Sequence, residues 1–143
     1  GGKGNEVVWE IVKKTDGAIG YVEYAYAKHH NIAFGDMFNK EGKIVSAQSK
    51  SFAAAARDAR LDDMNDLIDK PGDQSWPIVG ASFIIMQKKG DAEKNHEVLD
   101  FFNWAFDNGG QIADGLEYAF LPADVISKVR ALWRREQTTW TPS

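Results

Sequence analysis

The chain contains no cysteine. That excludes a disulfide framework, a thiolate metal site and a cysteine nucleophile, and it leaves the redox compartment open. Histidine is scarce, at three residues. The pair His29-His30 is adjacent in sequence, so the two rings point apart, whereas helix-borne metal ligands are spaced by three or four residues to share a face. We read this pair as a surface helix end. No apolar run approaches the length needed to span a bilayer, and no segment reads as a signal peptide. The chain starts at Gly1-Gly2 and not at methionine, which suggests a processed, tagged or truncated chain. Basic charge is also in short supply. Seventeen Lys and Arg stand against 21 Asp and Glu, for a net charge of −4 and a pI near 5.3. A general nucleic-acid binder needs a basic face, but a small-anion site needs only a few converging backbone N–H groups.

What is present suits one globular domain: 143 residues, 43% apolar and 27% charged. Asn5 is placed to cap a helix carrying Val7, Val8, Ile11 and Val12, with Glu6 in its first turn and Lys13-Lys14 in its last. Thr15-Asp16-Gly17 reads as its stop. A short strand is expected over 18–22 (AIGYV) and a helix over 23–30. A hairpin is expected between Phe34 and Val45, turning at Asn39-Lys40-Glu41-Gly42. Ser51 can cap an alanine-rich helix. The stretch 61–75 reads as loop, and IVGASFIIM (78–86) as a buried strand. The strongest helical spacing runs from Ala92 to about Asp107. A further helical piece follows Asn108-Gly109-Gly110, and a last helix starts at Pro122. Helices alternating with four or five short strands predict an α/β fold with an incomplete sheet.

Catalytic signals are weak. Asp58, Asp62, Asp63, Asp66, Asp69 and Asp73 lack the glycine and terminal Glu of a calcium loop and read as solvated charge. Phe101, Phe102, Trp104 and Phe106 read as core, and no serine sits in a nucleophile elbow. The opening Gly2-Lys3-Gly4-Asn5 carries two readings. It is a flexible end followed by an ordinary helix start, or a Gly-rich turn whose N–H groups contact an oxyanion. It matches neither the P-loop nor the dinucleotide fingerprint.

At GGKGN, GAIGYVEYAYAK and SWPIVGASFIIMQKK, and again along VLDFFNWAFDNGGQIADGLEYAFLPADVISKVRALW, the sequence resembles the periplasmic phosphate-binding proteins of phosphate ABC transporters. GAIGYVEYAYAK is the specific part, and the resemblance extends from Gly1 to about Trp140. It implies part of a two-lobed, type II periplasmic-binding-protein-like fold, matching roughly the C-terminal half of family members. Residues 1–75 would then belong to the second, cleft-side lobe. Residues 76–143 would supply the return crossing and helices that pack on the first lobe. The resemblance implies a non-enzymatic, periplasmic solute receptor for inorganic phosphate, without cofactor, metal or nucleic acid, that delivers its ligand to a membrane permease. The family's principal ligands are a Thr/Ser loop, a Ser and an Asp, and an Arg with a Ser-Gly-Thr run. They lie in the N-terminal half, and none of those motifs occurs here. The candidates carried over are Gly4, Asn5 and Tyr21, as a secondary wall of the cleft. The alternative is an interaction module that dimerises or swaps segments to cover apolar surface and does not bind phosphate by itself; a small hydrolase using the loop carboxylates is a third, weaker reading.

Overall fold

The computed structural model describes residues 2–57, 59–60, 67–87, 90–137 and 140. Six helices and one two-stranded sheet are found among them, a small α/β arrangement. Helix α1 (Gly4–Lys14) is followed by the extended segment 18–22 and helix α2 (Tyr24–His29). Strands β1 (Met37–Phe38) and β2 (Ile44–Val45) pair antiparallel, with Met37 opposite Val45 and Phe38 opposite Ile44. Then come α3 (Ser49–Ala56), α4 (Ala92–Asn108), α5 (Gly110–Gly115) and α6 (Ala123–Glu136).

The expected α1 is present with its acidic start and basic end, but Asn5 is not its cap. Lys3 holds that position without a side-chain cap, and Asn5 lies within the first turn. Glu10 and Lys14 pair at 2.9 Å across one turn. Val8 and Val12 face the segment that follows. A Cβ added at Gly20 would come within 2.8 Å of Val12 Cγ2 and 3.0 Å of Val8 Cγ1, so that glycine lets the extended chain lie directly on the helix.

The hairpin forms where its turn residues place it. Asn39 Oδ1 accepts from the N–H groups of Glu41 and Lys43, and its Nδ2 donates to the carbonyls of Gly72 and Asp73. The buried amide thus has both ends matched and ties the turn to residues 72–73. Ser51 is the third residue of α3 and not its cap, which is Gln48. Its hydroxyl, almost fully buried, donates to the Ser46 carbonyl at 2.7 Å and accepts from the Gln48 N–H at 3.2 Å. Tyr24, Phe34, Phe52 and Trp76 pack edge to face around this part of the core, beside Ala25, Ala27, Val45, Ala55 and Leu67.

A second apolar cluster lies between α4 and α6. Leu99 is fully buried there, with Val125, Ile126 and Trp140. Phe106 stacks on Trp133 at 5.4 Å, and Trp133 meets Trp140 edge to face. Arg130 reaches from α6 to the Asn103 side chain at 2.8 Å and to Asp107 at 2.7 Å. The Trp140 indole donates to Asp100.

Three expectations are corrected here. Neither 18–22 nor 78–86 is a strand among the described residues; only Ile78 makes an isolated antiparallel bridge, to Ile68. An extended segment becomes a strand only when a neighbour takes its N–H and C=O groups, and among the described residues neither segment has a neighbour beyond that one bridge. Ile19 and Ile85 are consequently 97% and 91% exposed. The aromatic stripe of α4 is also split. Phe102 and Phe106 turn inward, while Phe101 and Trp104 lie on the outer face with Val98. Asp58, Asp62, Asp63 and Asp66 lie outside the described residues.

Candidate anion site

The candidates sit at the corner where α1 begins. Lys3 is extended, at φ −89° and ψ 113°. Gly4 then takes φ +81°, a left-handed value that a side chain would resist, and opens the helix. The first N–H groups of a helix have no partner inside it, and the dipole makes that end partly positive. Lys3 supplies no side-chain cap for them.

Asn5 reaches across to the next element. Its Oδ1 accepts from the Glu23 backbone N–H at 3.0 Å. Glu23 is the N-cap residue of α2, and its carbonyl accepts from Ala27 N–H at 3.0 Å. The acceptor end of the Asn5 amide is therefore committed. Its donor end, Nδ2, is the chemistry left for a ligand, and that chemistry suits an oxyanion.

Tyr21 lies two residues before Glu23, and its side chain is 87% exposed. Two residues of chain span at most about 7 Å, so the Tyr21 backbone stands near Asn5. The link between them runs through the Glu23 backbone and not through the tyrosine ring. Gly4 and Asn5 are thus brought together with the end of the 18–22 segment.

Two residues that sequence reasoning passed over complete the corner. The Glu23 side chain, by hydrogen bonding and by its negative charge, holds the Tyr118 phenol above its ordinary value of 10.0. Tyr118 is placed by the end of α5. Glu117 N–H donates to Asp114 O at 3.0 Å, and Tyr118 N–H donates to Ala113 O at 2.9 Å. This is a Schellman closure with Glu117 at φ +62°, in the position where glycine is usual. No spacing links Tyr118 to Glu23 across 95 positions; only the fold does so.

The remaining sequence candidates stay apart from this corner. His29 and His30 are exposed at the end of α2, with His30 against Tyr26. Among the described residues no group of three or more His, Asp or Glu is placed to hold a metal ion, and no helix is long and apolar enough to cross a membrane.

No protein-family model matches the chain. Individual relatives do. The phosphate-binding protein PstS of Pasteurella multocida is 43% identical over 95% of this chain, and that of Haemophilus influenzae is 42% identical over 95%. The phosphate-binding protein PstS of Methanocaldococcus jannaschii is 30% identical over 87% of the chain. The chain belongs to the PstS family. It spans 41% of the length of the Pasteurella protein, 42% of the Haemophilus protein and 36% of the Methanocaldococcus protein.

Proposed function

We propose that this chain is part of a non-enzymatic, periplasmic receptor that binds inorganic phosphate and passes it to the membrane permease of an ABC importer. The observation that carries the proposal is the 42–43% identity to phosphate-binding proteins across 95% of the chain. In this reading the chain corresponds to the C-terminal half of a two-lobed, type II fold. Residues 1–75 belong to the cleft-side lobe, and residues 76–143 form the return crossing and the helices that pack on the first lobe. Gly4, Asn5 and Tyr21 form a secondary wall of the cleft.

The physical argument concerns matched donors. A tetrahedral anion taken from water needs donors converging from several sides, and an unmatched polar group costs about 1–3 kcal/mol. The corner at α1 supports one side of such a cradle, through the uncapped helix start and the Asn5 Nδ2 donors. The opposite side would come from the N-terminal half. Phosphate calorimetry tests this. The expected result is weak or absent binding by the chain alone, and binding restored when the N-terminal half is supplied. Tight binding by the chain alone would overturn this placement of the ligands.

A second reading is favoured by one observation, the exposure of Ile19, Tyr21 and Ile85 at 97%, 87% and 91%. Apolar surface of this kind is covered in an assembly, so the chain alone could act as an interaction module that forms a homodimer. Light scattering after size exclusion separates the two. A dimer indifferent to phosphate, even with the N-terminal half present, supports the second reading.

A further inference from the structure

The last turn of α4 holds a reactive pair. Asn108-Gly109 is the chain's one Asn-Gly dipeptide. Asn108 closes the helix and is exposed, and Gly109 is the C-cap at φ −83° and ψ −6°. Glycine is required there, because a Cβ at 109 would stand 2.5 Å from the Ala105 carbonyl oxygen. The tight turn into α5 therefore sets beside Asn108 the residue that least obstructs attack on its side-chain amide.

That attack is an intramolecular deamidation. The Gly109 backbone nitrogen bonds to Asn108 Cγ and gives up its proton. The Cγ–Nδ2 bond breaks, and the departing nitrogen takes up that proton to leave as ammonia. Water then opens the cyclic imide at one of its two carbonyls, giving an aspartate or its β-linked isomer. The folded corner withholds both nitrogens. Gly109 N–H donates to Ala105 O at 2.7 Å, and Asn108 Nδ2 donates to Trp104 O at 2.9 Å. Ring closure also needs the Asn108 backbone to leave its helical conformation. Arg130 of α6 reinforces the same turn, through the Asn103 side chain at 2.8 Å and Asp107 at 2.7 Å. We infer that Asn108 is a deamidation site, held in check by the α4–α5 corner and released when the end of α4 opens locally. The product does not rebuild the corner. A carboxylate cannot donate to Trp104 O, and it adds negative charge beside Asp107 at the helix end where the dipole opposes it.

The test incubates the full chain at mildly alkaline pH, where the attacking nitrogen loses its proton more readily. The chain is kept in buffer or in urea beyond its unfolding midpoint, and the peptide containing Asn108 is followed by mass. Deamidation adds one mass unit. The related ring closure at Asp16-Gly17 and Asp114-Gly115 loses and regains water, which leaves the mass unchanged. From buffer to urea the rate is expected to rise about 10- to 100-fold, the effect of two hydrogen bonds. Arg130→Ala is expected to raise the rate in buffer about 2- to 10-fold and to leave the rate in urea unchanged. Asn108→Gln, whose ring would need one more atom, should remove the mass change from that peptide.

Equal rates in buffer and in urea overturn the protection by the fold, and a peptide that gains no mass in urea overturns the site. An unchanged buffer rate in Arg130→Ala overturns the local opening. If that variant does not fold, the unmutated chain decides in urea below the midpoint. Local opening exposes little surface, so the rate there should be nearly flat; a rate that climbs in step with global unfolding overturns the local opening.

Discussion

Asn5 Oδ1 accepts from the backbone N–H of Glu23 at 3.0 Å, which joins the first turn of one helix to the cap of the next. Removing the side chain in Asn5→Ala is expected to destabilise the chain by about 0.5–1.5 kcal/mol, read from urea unfolding. Asn5→Asp keeps an acceptor and adds negative charge in the first turn, where the helix dipole favours it. Its stability should remain near that of the parent, while any phosphate-induced shift at this corner disappears. A phosphate response that survives in Asn5→Asp would remove Asn5 from the site.

Asn39 should be far less tolerant. Its buried amide makes two accepting and two donating bonds. Asn39→Asp turns two donors into acceptors that face the Gly72 and Asp73 carbonyls, and each buried group left unmatched costs about 1–3 kcal/mol. Asn39→Asp is therefore expected to be at least as destabilising as Asn39→Ala, and equilibrium unfolding compares the two.

Leu99 is fully buried between α4 and α6. Leu99→Ala should cost about 2–5 kcal/mol, through lost transfer energy and the cavity left behind. The Trp133–Trp140 contact provides a near-ultraviolet signal for the same cluster.

Glu117, the residue after the α5 C-cap Leu116, sits at φ +62°. Glu117→Gly should relieve a left-handed cost of about 1–2 kcal/mol and lose part of that gain to unfolded-chain entropy. A modest rise in thermal midpoint is the expected outcome.

Two exposed groups contribute pH dependences of opposite sign. The Tyr118 phenol is raised in the folded state by the hydrogen-bonding and charge influence of the Glu23 side chain. Its contribution is complete below the unfolded value of 10.0 and is lost as the pH rises through the folded value. Tyr118 should ionise above its ordinary value, and Tyr118→Phe should delete that phase from an ultraviolet titration. Glu10 is lowered by its bond and ion pair with Lys14. Its contribution is present above the unfolded value of 4.5 and fades as the pH falls through the folded value. The exposed pair should be weakened by salt.

Elements built on local chemistry were legible in the sequence. The helical spacing of 92–108, the Pro122 start, the Thr15-Asp16-Gly17 stop and the hairpin turn all depend on neighbours within a few residues. Among the described residues 18–22 and 78–86 are not strands, because β-propensity describes a segment that suits a sheet and cannot supply the adjoining strand. Residue type suggests Asn5 and Ser51 as caps, yet Asn5 is the second residue of its helix and Ser51 the third, and both are bonded elsewhere. At the candidate site, glycine and asparagine were visible from composition. Glu23 and Tyr118 are not, because only the fold sets Glu23 against Asn5 and lets its charge act on Tyr118.

The stretch Gly80–Met86 carries no charge and no proline, and it includes the run Phe83-Ile84-Ile85. All three of those side chains face water. Short, uncharged, β-prone segments stack on copies of themselves, and a net charge of −4 spread over the chain offers only mild repulsion. These seven residues are expected to drive self-association at high concentration, and one lysine introduced at Ile85 should suppress it more strongly than several added elsewhere.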